Sequence, residues 1–169
     1  MIHESVFVDP MARVMGDVVI GEGSAVLYGT IIRGDDDRVI IGSNTVILEN
    51  SLIEAPAGKP VAIGDNVLVS HAAIIHGARV SNGVLVGIGA IVLDGAVIGE
   101  NAIIAAGAVV PPGKTIPAET IVAGVPAKPV RKVDESDLSM VRRELQAVLR
   151  KVPVYKSVLG GVRQPPPNH

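Results

Sequence analysis

A chain of 169 residues is long enough for one domain with a substantial core, and its formal charge of −2 argues against a nucleic-acid partner. It has no cysteine, which excludes a disulfide framework and a thiolate metal site. Hydrophobic residues make up 48% of the chain but aromatic residues only 2%, so the core must be built from Val, Ile and Ala.

The opening stretch, MIHESVFVDP, is charged and has no apolar h-region, which argues against a secretory signal. No apolar run approaches the ~20 residues that span a bilayer. The expectation is a cytoplasmic protein with no membrane partner.

From residue 8 onward an internal repeat dominates. Val8, Val14, Ile20, Val26 and Ile32 fall every sixth residue. After three extra residues Ile41, Ile47 and Ile53 resume the step, and after four more Ile63, Val69 and Ile75 follow. One residue is then dropped, and Val80, Val86, Val92, Ile98, Ile104, Val110, Ile116 and Val122 complete the series. The fourth residue after each is usually small, as at Ser24, Thr30, Ala73, Ala90 and Ala108. Ordinary strands impose a period of two and no fixed column every six. A hexad repeat instead predicts a coil of short strands separated by bends, with one β-branched side chain per hexad turned inward. Three hexads make a triangular turn, and about six turns stacked at strand spacing give a prism about 30 Å long. The fold class is therefore an all-β solenoid of hexapeptide repeats over residues 1–132.

A C-terminal α-helix follows over 133–153. Asp134 or Ser136 can cap it, and Leu138, Val141, Leu145, Val148, Leu149 and Val152 recur at helical spacing. That stripe is expected to lie along a prism face, its own or a neighbour's. Residues 154–169, ending GGVRQPPPNH, read as a flexible tail.

Only four histidines occur. His3 precedes the coil and His169 falls in the tail, leaving His71 and His76 in VSHAAIIHG. The repeat register places both. Arg33, Glu54 and His76 each directly follow an inward Ile, one turn apart, and should form one column. Glu49 and His71 form a second column, one hexad away around the prism. Across that corner a single chain cannot easily bring both imidazoles to one ion. A cyclic trimer can, with the His71 column of one chain facing the Glu54–His76 column of the next. The bland reading is two unconnected surface histidines, with Glu54 a partner for Arg33 or His76.

The segments IIRGDDDRVIIGSNTVILEN, IGDNVLVSHAAIIHGARVSNGVLVGIGAIVLDGAVIG and IVAGVPAKPVR resemble the γ-class carbonic anhydrases over residues 8–132. Many acyltransferases share the hexads, but RGD at 33–35 together with the spacing of His71 and His76 is more specific. The resemblance implies a left-handed parallel β-helix, a hand that runs against the general rule for parallel crossovers. It also implies a homotrimer with zinc held between subunits, and reversible CO2 hydration to bicarbonate by metal-bound hydroxide. His71 and His76 match two metal ligands. Glu54 falls where the family usually has a third histidine. Arg33 and Asp35 match an ion pair between subunits beside the metal. Leu48 and Glu49 fall on a Gln-Asp pair, so Glu49 keeps a carboxylate that can shuttle protons. A tyrosine often found before the final G-x-P-A-K is absent, the stretch here being Ile121, Val122, Ala123, Gly124.

Two His and one carboxylate make a legitimate zinc site and also suit iron(II). The anionic ligand lowers the charge at the metal and weakens its pull on water. Activity is therefore expected to be weak. Two other readings stay open: a metal-poor trimer kept for structure or binding, and a hexapeptide acyltransferase using a histidine base.

Overall fold

The computed structural model describes residues 1–159. The hexads wind into a parallel β solenoid of about six turns, the all-β coil expected from the repeat. One face is built from the stacked strands Phe7–Val8, Ala25–Val26, Val46–Ile47, Leu68–Val69, Leu85–Val86, Ile103–Ile104 and Thr120–Ala123. The long strand Ile31–Ile41 turns a corner and joins the other two faces into one sheet. Every pair in the coil is parallel, and the last strand, Lys128–Lys132, folds back antiparallel on Thr120–Ala123.

The inward column is the core. Ile32, Ile53, Ile75, Val92 and Val110 are all fully buried. At the corners the small side chains are buried too, and they differ along the coil. In the early turns they carry hydroxyls that donate to a carbonyl one turn on: Ser24 to Gly42 at 2.8 Å, Thr30 to Leu48 at 3.0 Å, Thr45 to Gly64 at 2.7 Å and Ser51 to Ser70 at 3.0 Å. Later corners use Ala73, Ala90, Ala96, Ala102 and Ala108, all buried. Either choice fits, because a hydroxyl buried without a partner is costly while a methyl is not.

The RGD bend needs its glycine for room. A Cβ on Gly34 would lie 2.6 Å from the Asp17 carbonyl oxygen, and one on Gly16, at φ +81°, would lie 2.1 Å from the Gly34 carbonyl. Two strands touch there, so Arg33 and Asp35 project from either side of a bend no larger residue could make.

Helix α1 spans Glu135–Leu149. Its cap is Asp134, which accepts from the Asp137 amide at 3.0 Å while Asp137 accepts from the Asp134 amide at 2.9 Å. Its apolar stripe lies on its own prism: Leu145 packs with Phe7, Leu27, Val46, Leu48 and Leu68. A second helix, α2 (Val152–Leu159), extends the helical region past residue 153. Tyr155 stacks on Phe7 with ring centroids 5.7 Å apart, an anchor that composition alone does not reveal. Residues 160–169 of the expected tail, including His169, lie outside the described residues. No helix among the described residues is long and apolar enough to cross a membrane.

Candidate metal centre

Three parallel strands deliver the first column. Arg33 pairs in register with Glu54, and Glu54 with His76. Each follows a buried isoleucine, so each side chain points out of the prism. Arg33 Nη1 donates to Glu54 Oε1 at 2.9 Å. Its Nε and Nη2 also donate to the two carboxylate oxygens of Asp35, at 3.2 and 2.9 Å. The fork is thus held within the chain, between the two carboxylates. The Asp35 carboxylate keeps Arg33 firmly protonated, with Glu54 adding to this. Arg33 in turn holds Asp35 below the usual carboxylate range.

The second column brings Glu49 and His71 together, with His71 Nδ1 at 2.7 Å from Glu49 Oε2. This is an ion-pair distance without hydrogen-bond direction, since that buried oxygen has no hydrogen-bond partner. The turn at His71 is tight. The next residue, Ala72, has φ +55°, at a corner that Gly29, Asn50, Gly89 and Gly107 occupy in neighbouring turns, also at positive φ.

Two residues join the site that the repeat register did not indicate. Asp94 Oδ1 meets His76 Nδ1, and its other oxygen accepts from Lys59 Nζ at 2.6 Å. Lys59, then His76, hold the Asp94 carboxylate below its ordinary range. Asp94 stands 18 residues after His76, but this turn is one residue short, Ile75 pairing with Val92, so Asp94 falls one place past the column and the register does not point to it. Lys59 sits in the inserted PAGK loop and carries no register signal either.

Both imidazoles therefore present Nδ1 to a carboxylate. In the neutral form with the proton on Nδ1, Nε2 keeps the lone pair, the arrangement usual for metal-ligating histidines. Among the described residues, no three of His, Cys, Asp and Glu converge within one chain closely enough to hold a metal. His3 is elsewhere, with Nδ1 at 2.9 Å from Ser5 Oγ. Leu48 is buried under α1 in the apolar cluster.

Beside the second column, a groove of about 520 Å³ runs between the coil and α1, lined in part by Glu49, His71, Ile88, Glu144, Lys151 and Tyr155.

Residues 77–112 match the family model "Bacterial transferase hexapeptide (six repeats)". A carbonic anhydrase of Geobacillus kaustophilus is 41% identical over 157 residues, covering 93% of this chain and 86% of that one. Gamma carbonic anhydrase 2, mitochondrial, of Arabidopsis thaliana is 45% identical over 82 residues, 45% of this chain, and the match spans only 30% of that relative's length. A solved Bacillus cereus structure, described as a candidate acetyltransferase, superposes with a TM-score of 0.91 at 36% identity, covering 93% of this chain and 91% of that one. The chain belongs to the γ-class carbonic anhydrase family of hexapeptide-repeat proteins.

Proposed function

We propose that the chain acts as a homotrimer that reversibly hydrates CO2 to bicarbonate. In this reading a metal ion, zinc or alternatively iron, is held between subunits by His71 of one chain and by His76 and Glu54 of the next. The observation that carries it is the pair of imidazoles that each face a carboxylate through Nδ1, with Nε2 left over, while among the described residues no three ligands meet within one chain. The donor set fits a divalent ion once a second copy completes it. When bound, such an ion supplies Lewis-acid activation of water.

The remaining roles belong to the protein. Glu49 steadies His71, and its buried Oε2 can accept a proton at that atom. Arg33 fixes Glu54 through Oε1, which leaves Oε2 as the ligating oxygen, while Asp35 holds the other side of the guanidinium.

Apolar surface around the corner supports the trimer. Tyr28 and Ile88, on the His71 column, are exposed, and so is Ile31, which heads a neighbouring column of Ile31, Leu52, Ile74 and Ile91. A neighbouring subunit would cover both.

Metal analysis of untagged protein, with sedimentation and stopped-flow CO2 hydration, tests the reading. About one metal per chain in a trimer that hydrates CO2 supports it. A metal-free trimer without activity would leave the Arg33–Glu54 pair as a structural contact in a binding homologue.

The groove beside His71 favours a second reading, acyl transfer, with His71 as base and Glu49 behind it. Calorimetry with acetyl-CoA separates the two. Saturable binding supports acyl transfer, and its absence leaves hydration as the better account.

A further inference from the structure

The two histidines are not held alike. Glu49 approaches His71 without a directed hydrogen bond, and among the described residues no Lys or Arg pairs with its carboxylate. Asp94, by contrast, is gripped from both ends, by His76 on Oδ1 and by Lys59 on Oδ2. Lys59 comes from the loop inserted into the preceding turn, so the loop closes back over the strand that carries His76. The backbone makes room for this. Gly77, the residue after His76, is buried at φ +56°, and a Cβ there would stand 3.1 Å from Lys59 Cβ and 3.4 Å from Asp94 Oδ1.

We infer that Asp94, braced by Lys59 of the inserted loop, is a positioning residue that fixes the ring orientation and tautomer of His76. The carboxylate takes the proton-bearing Nδ1, and Lys59 stops the carboxylate from swinging away. Nε2 is then the bare nitrogen before any ion or partner arrives. His71, less tightly held, is the imidazole free to adjust when subunits meet. An exposed Lys–Asp pair adds little to stability on its own, so the loop's contribution is geometric. This inference rests on the metal reading only for its consequence at the ion. The tautomer itself is a property of the apo chain.

Ring ¹⁵N NMR of the full-length apo protein tests it directly. The parent should show His76 protonated at Nδ1 with an unprotonated Nε2. Asp94→Ala should turn His76 into a tautomer mixture while His71 keeps its parent signals. Lys59→Met should give a smaller change in the same direction, and Lys59→Arg should restore the parent pattern. Zinc affinity by chelator competition should fall about 10–100-fold in Asp94→Ala, the range for lost outer-shell partners, fall less in Lys59→Met, and stay at the parent value in Lys59→Arg. If the parent binds no zinc, the metal reading fails and the NMR still decides the positioning role. His76 holding its Nδ1–H tautomer in Asp94→Ala would overturn the inference. Should Asp94→Ala not fold, an unshifted His76 tautomer in Lys59→Met would overturn the brace.

Discussion

Glu54 Oε1 accepts a hydrogen bond from Arg33 Nη1 at 2.9 Å, one coil turn away in the same column. The carboxylate at the proposed third ligand position is therefore already shared with a cation, and only its other oxygen is free of Arg33.

Glu54→His should raise CO2 hydration by the zinc-loaded trimer near neutral pH. A neutral imidazole leaves more positive charge at the ion and favours ionisation of water. Each unit by which that ionisation moves down gives about tenfold more base below its midpoint. Leu48, buried under α1, limits the gain because it offers no polar group. Stopped-flow rates on parent and variant decide it. A variant holding one zinc per site yet no faster than the parent would show that Glu54 is not the limiting feature.

His71→Ala and His76→Ala should each abolish stoichiometric metal binding and leave the coil folded. Both side chains lie outside the Val and Ile core, so stability should change by no more than about 0.5 kcal/mol. Metal titration and denaturant unfolding check the two halves. Undiminished binding in both variants would remove them as ligands.

Sedimentation at micromolar concentration should give three times the monomer mass. Ile74→Glu, in the half-buried column beside Glu54 and His76, should break the trimer into folded monomers and take metal binding with it. A stable monomer that still binds the ion would sink the site between chains.

Removing the α1 cap partner by Asp137→Asn should destabilise the protein in a pH-dependent way. Arg131, then the Asp134 amide, hold Asp137 at about 2 in the folded state, below its ordinary 3.8. A depressed carboxylate stabilises the fold above its unfolded value and loses that contribution as pH falls through the folded one. The parent's advantage over the variant should thus be full above about pH 5 and shrink toward pH 2. Urea unfolding across that range measures it, and a gap constant with pH would contradict the ion-pair account.

Ala72→Gly should stabilise the chain by roughly 0.5–1 kcal/mol, the relief of a left-handed residue less the added freedom of glycine when unfolded. Neighbouring turns use Gly or Asn at this corner, and Ala72 carries a Cβ there without the short polar side chain that lets Asn50 tolerate the left-handed region. Thermal unfolding of the two chains side by side tests this, and an unchanged midpoint would mean the strain is absorbed elsewhere.

Much of the site was legible because a coil turns spacing into position. The steps from Ile32 to Ile53 to Ile75 put Arg33, Glu54 and His76 in one column, and the strand register agrees. The same rule hid Asp94. The chain drops one residue after His76, so Ile75 pairs with Val92 and Leu93 takes the next place in the column. Asp94 lies one residue further and reaches back. Lys59 was hidden for another reason. A loop outside the repeat has no register, so where its side chain ends is settled by the charge it meets. The face chosen by α1 was likewise open, since an apolar stripe fits any apolar wall. Phe7 and Tyr155 help to fix it here.

A stacked coil is in essence a one-dimensional object, in which each turn touches only its neighbours and either end can fray. The C-terminal helices alter that connectivity. Arg131 and Asp137 tie the start of α1 to the final strand, while Lys156 donates to the Ser5 carbonyl at 2.7 Å and Tyr155 sits on Phe7 at the first turn. The coil's two ends are stitched together along the outside of the prism. A turn at either end cannot peel away without also unzipping a helix, so opening motions in hydrogen exchange should engage the first turn, the last turn and both helices together, as a loop of linked contacts.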